Sequence, residues 1–68
     1  MNFGENLKRL REAHGITQAE LAESVGVSQP IIAQYEAGAK APNVILAAKI
    51  ASTLGVTLDT MLDRKEGA

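Results

Sequence analysis

Apolar residues recur along the chain in short runs at helical spacing, and most runs end at a glycine. Phe3, Leu7 and Leu10 fall at i, i+4 and i+7, which predicts a first helix over about residues 2–13. Leu21, Ala22 and Val25 predict a second over 18–25. Ile32 and Tyr35 predict a third over 29–37, with Pro30 in its first turn, where a missing N–H costs nothing. Leu46, Ala47, Ile50, Ala51 and Leu54 form the stripe of a fourth helix, capped by Asn43. Residues 58–62 predict a short fifth helix, and residues 64–68, without an apolar anchor, a frayed tail beyond a domain of residues 1–63. No stretch alternates at period two, so no strand is predicted.

The punctuation between these runs repeats. Gly15, Gly26, Gly38 and Gly55 each follow an amphipathic stretch, where glycine ends a helix by entering the left-handed conformation without a Cβ clash. Two positions after three of them stand Thr17, Ser28 and Thr57, whose side-chain oxygens suit an N-cap. Ile16 and Leu21, Val27 and Ile32, and Val56 and Met61 occupy the N′ and N4 positions of hydrophobic staples. Thr17-Gln18-Ala19-Glu20 reads as a capping box. Only Gly26-Val27-Ser28 separates the second and third helices, which is the spacing of a helix-turn-helix unit.

Composition bounds the chemistry. The 68 residues and 7.2 kDa hold one small all-α domain. No cysteine is present, so no disulfide, zinc–thiolate site or thiol nucleophile is possible. One histidine, His14, and no clustered carboxylates leave no catalytic or metal-binding constellation, so neither an enzyme nor a cofactor or metal is expected. No apolar run approaches the ~20 residues of a bilayer span, and Met1–Glu5 do not resemble a signal peptide. A cytoplasmic location is therefore expected, with no membrane partner and no small-molecule ligand.

Thr17 to Ala22, Val25 to Ser28, Ile32, and Tyr35 to Gly38 together resemble the Cro/CI-type helix-turn-helix family, also called lambda-repressor-like. Pro42-Asn43, Lys49 to Ala51, and Leu54 to Val56 with Leu58 and Leu62 resemble its fourth and fifth helices. The resemblance covers about residues 5–62. It implies a five-helix bundle that binds double-stranded DNA at a palindromic operator, usually as a homodimer.

With Ile32 and Tyr35 anchored inward, the opposite face of the third helix carries Gln29, Pro30, Ala33 and Gln34. A glutamine amide offers a donor and an acceptor together, which matches adenine N6 and N7. Family position adds Ser28 to this base-facing set, with Gln29 foremost. Pro30 departs from the family's usual polar residue and offers only apolar contact; Ala33 is similar, and Ile31 lies at the fringe. The resemblance makes Gln18, Lys40 and Asn43 phosphate contacts, and the flanking cations Lys8 and Arg9 join them. It also implies an ion pair between Arg11 and Glu36. Val56, Leu58, Met61 and Leu62 either supply a two-fold dimer contact or cover the monomer core.

Charge complicates this picture. The chain carries a formal −1 and a pI near 5.7. Thr17 to Glu36 contains no Lys or Arg and three glutamates, Glu20, Glu23 and Glu36. Phosphate neutralisation dominates DNA affinity, so an acidic reading segment predicts modest binding. The alternative is a protein-interaction module, antitoxin-like or an adaptor, that uses the face of Pro30, Ile31 and Ala33.

Overall fold

The computed structural model describes residues 3–62, which fold as five helices. These are α1 (Phe3–Ala13), α2 (Gln18–Val25), α3 (Gln29–Ala37), α4 (Val44–Thr53) and α5 (Leu58–Met61). The tail over 64–68 and the expected helix start at residue 2 lie outside the described residues.

Local chemistry sets the boundaries. The Thr17 hydroxyl accepts from the Glu20 N–H at 3.0 Å, and the Glu20 carboxylate accepts from the Thr17 N–H at 2.9 Å, closing the capping box. Asn43 and Thr57 cap α4 and α5 in the same way, accepting from Leu46 and Thr60. Gly26 stops α2 with φ of +84°, while its N–H and that of Val27 both reach the Ala22 carbonyl.

Ser28 departs from the expected cap. It stands at the N-cap of α3 with extended backbone, but its side chain makes no cap bond. Pro30 has no N–H to offer, and the Ile31 N–H bonds the Ser28 carbonyl at 3.1 Å instead. The Ser28 hydroxyl stays on the surface without a capping task.

Helix α3 packs against both α2 and α1; α4 lies on α2, and α5 closes against α4 and α1. Leu7, Leu21, Val25, Ile32, Tyr35, Ile50, Leu54 and Met61 meet at the centre. Leu54, expected within α4, is its C-cap and still belongs to this core. Helix α5 ends at Met61, with Leu62 as its C-cap, one residue short of the expected range.

The expected dimer face needs correcting at Met61. That side chain is 0% exposed and packs inside the monomer core, so it is not available to a second subunit. Val56 and Leu58 are half-buried against the same core, and Leu62 alone of the four is exposed. A backbone contact at the same residue joins the two ends of the fold. Asn6 of α1, also 0% exposed, donates through Nδ2 to the Met61 carbonyl at 2.8 Å and holds α5 down.

Gly4 brings the other end of α1 close to α3. A Cβ there would stand 2.3 Å from the Tyr35 carbonyl oxygen and 2.8 Å from that of Glu36. Only glycine permits this approach, which aligns Arg11, two turns further along α1, with the end of α3.

Candidate nucleic-acid interface

Thr17 and Ser28 both stand at N-caps, so Gln18 and Gln29 each occupy the first position of a helix. The tight turn between α2 and α3 brings these two side chains together. Gln29 Nε2 donates to Gln18 Oε1 at 2.7 Å. Gln18 Nε2 in turn donates to Glu36 Oε1 at 2.9 Å.

Glu36 is the hub. Its carboxylate accepts from Arg11 Nε at 2.5 Å and from Arg11 Nη2 at 3.1 Å, a two-point ion pair between α1 and α3. Arg11 Nη1 also donates to the Ile16 carbonyl at 2.8 Å, tying in the α1–α2 turn. Burial pushes the Glu36 carboxyl upward. The hydrogen bonds from Arg11 and Gln18 and the charges of Arg11 and Lys8 outweigh it, leaving the group below the usual carboxylate range. The Arg11 guanidinium is raised, chiefly by its hydrogen bonds to Glu36.

Ser28, Gln29 and Pro30 at the start of α3 are exposed, while Ala33 and Gln34 are half-buried. Gln34 differs from Gln29: its Oε1 is shut off from solvent and has no hydrogen-bond partner. It therefore does not present a complete donor–acceptor pair to the outside, as Gln29 does. Ile31, at the fringe of this face, packs against the core.

Across residues 7–61 the chain matches the helix-turn-helix family. The chain belongs to the Cro/CI-type helix-turn-helix family.

The chain is 35% identical over 60 residues to YqaE of Bacillus subtilis, named as an uncharacterized HTH-type transcriptional regulator; the match covers 88% of this chain and 52% of that one. It is 36% identical over 66 residues to the HTH-type transcriptional activator BcrR of Enterococcus faecalis, covering 97% of this chain and 32% of that protein. The chain thus spans about half and about a third of the lengths of these two relatives. In structure it is similar to the P22 c2 repressor solved with a synthetic operator. The TM-score is 0.89 at 29% identity, covering 96% of this chain and 98% of that one.

Within this Cro/CI-type domain the expected cations are split. Lys8 is exposed, and its charge adds to the lowering of the Glu36 carboxyl. Arg9, its neighbour, instead donates through Nη2 to Asn6 Oδ1 at 3.0 Å, and Asn6 faces α5. Lys40 and Asn43 are exposed in and after the loop that joins α3 to α4. Among the described residues no group of three potential metal ligands lies together, and no helix is long and apolar enough to cross a membrane.

Three features escape a reading of the sequence. Gly4 and Asn6 do so because their partners are distant backbone carbonyls. The Gln29–Gln18–Glu36 chain had one visible sign: the repeated cap-glutamine pairs Thr17-Gln18 and Ser28-Gln29.

Proposed function

We propose that this chain is a transcriptional regulator, in particular a repressor, that enters the major groove of double-stranded DNA with the N-terminal half of α3. The observation that carries the reading is Gln29: exposed, at the first position of α3, and held by Gln18 at 2.7 Å. A groove ~12 Å wide admits one helix, and the first turn of that helix points at base edges. A glutamine already hydrogen-bonded before binding loses less side-chain freedom when it meets adenine. Ser28, with a hydroxyl not used for capping, and Pro30, with only apolar surface, flank it. Ala33 and Gln34 lie deeper on the same face. Gln18 has one amide hydrogen left for a phosphate, and Lys8, Arg9, Lys40 and Asn43, all exposed, would supply further contacts to the DNA backbone. The repressor reading is supported by likeness to the P22 c2 repressor, which was solved with a synthetic operator.

The proposed assembly is a homodimer on a palindromic site, its two α3 helices ~34 Å apart on one face of the duplex. Leu62 and the outer edges of Val56 and Leu58 form the proposed contact. Two or three cations per subunit give a dimer log–log salt slope of roughly −4 to −5, at about 0.9 per contact.

Selection from a randomised duplex library, followed by binding at two salt concentrations, tests this reading. A recovered palindrome with that slope supports it, and failure to enrich any sequence contradicts it. One observation favours a second reading: the segment from Thr17 to Glu36 carries three glutamates and no cation. A protein-interaction module would give no enrichment in the same selection.

A further inference from the structure

Counting donors and acceptors along Arg11, Glu36, Gln18 and Gln29 dictates which way each amide faces. A guanidinium only donates and a carboxylate only accepts. The 2.9 Å contact of Gln18 with Glu36 must therefore use the Gln18 NH2 group. That turns the Gln18 oxygen toward Gln29, whose own NH2 must donate to it, at 2.7 Å. Gln29 is left with its oxygen and one N–H free. Adenine shows a donor at N6 and an acceptor at N7, which matches that pair. Guanine shows acceptors at both O6 and N7, which does not.

We propose that Glu36 is a positioning residue for base choice: through Gln18 it sets the polarity of the Gln29 amide and so makes the chain favour adenine over guanine where Gln29 reads DNA. The proposal rests on the DNA-binding reading above. Glu36 does not touch the base, since its side chain is only 4% exposed and fully engaged by Arg11 and Gln18. Replacing it with glutamine removes the rule that only acceptors stand at this point. With its oxygen kept on Arg11 Nε, the new amide puts NH2 where Oε1 accepted from both Gln18 and Arg11 Nη2, so it gives up the Nη2 bond and offers a donor to Gln18. Gln18 then answers with its oxygen and turns NH2 to Gln29. Gln29 must accept with its oxygen, leaving two free N–H groups, which is the pattern guanine takes.

The test uses a duplex selected from a randomised library with the wild-type protein, and its partner with adenine changed to guanine at the pair sensitive to Gln29. Wild type should favour adenine by at least about fivefold, the lower end for a bidentate contact. Glu36→Gln should bring the ratio below about twofold or invert it. Gln18→Ala breaks the relay while leaving the ion pair intact, so it carries the test if Glu36→Gln does not fold. Its lost phosphate contact weakens both duplexes alike and cancels in the ratio. In the free protein, the Gln29 side-chain amide resonances should move toward those of a solvated glutamine in Gln18→Ala. Wild-type ratios in the folded variants, a wild-type preference for guanine, or unmoved Gln29 resonances would each overturn the proposal. A wild-type protein that binds no duplex overturns the DNA reading beneath it; wild-type binding with unchanged ratios overturns only the relay.

Discussion

Arg11 and Glu36, 25 positions apart, form a two-point ion pair that joins α1 to the end of α3. Because the same carboxylate also holds Gln18, one charged contact links the packing of the bundle to the side chains at its proposed DNA surface. Removing the cation leaves a side chain that is 4% exposed with a single remaining donor, Gln18. Breaking such a pair from one side costs about 3–5 kcal/mol. Arg11→Met is expected to lose at least about 3 kcal/mol on that scale, read from the midpoint of urea unfolding.

The same pair sets a pH dependence. The Glu36 carboxyl lies below its ordinary value in the folded protein because the Arg11 and Gln18 hydrogen bonds outweigh burial. The unfolded chain therefore binds the proton more readily. Its contribution to stability is complete above the unfolded glutamate pKa of about 4.3 and is lost as pH falls from there through the folded value. Thermal unfolding followed from pH 6 to pH 2 should show this loss, and Glu36→Gln should flatten it.

Asn6 is fully buried and donates to the Met61 carbonyl at 2.8 Å, while accepting from Arg9. Asn6→Leu removes the donor and leaves that carbonyl without it, at a cost of about 1–3 kcal/mol. Amide hydrogen exchange should show the loss first in α5, which has only four residues and depends on this tie.

Gly4 leaves no room for a methyl group, since the atoms in the way are backbone oxygens of Tyr35 and Glu36. Gly4→Ala is expected to destabilise by about 1–3 kcal/mol, although alanine is the better helix former. Chemical denaturation measures the sign directly: a more stable variant would mean that α1 and α3 do not approach this closely.

Helix boundaries and most caps are legible because they are local. Thr17, Asn43 and Thr57 find their partners within one turn, so spacing suffices to identify them. Ser28 follows the same spacing, but its cap bond is displaced by Pro30 two residues on and by the Ile31 N–H turning to a carbonyl. Met61 suits a core or a dimer face equally by spacing; the docking of α5 onto α4 and α1, which spacing does not specify, puts it in the core. The exposure of Val44 and Ile45 at the start of α4, the latter 71% exposed, runs against residue type, although both stand outside the apolar stripe and Ile45 shares its face with exposed Lys49 and Ser52. At the proposed DNA surface, the face of α3 is a matter of period. The Gln18–Gln29 bond depends on how two helices cross, which period does not specify.

The proposed DNA reading stands or falls with Gln29 on the outer face of α3. The most direct measurement compares wild type and Gln29→Ala on a duplex selected from a randomised library and on the same duplex changed at single pairs. The expected result is a loss of about 1–3 kcal/mol on the selected duplex, with discrimination relaxed at one pair only. Equal affinity of the two proteins for the selected duplex would contradict the account.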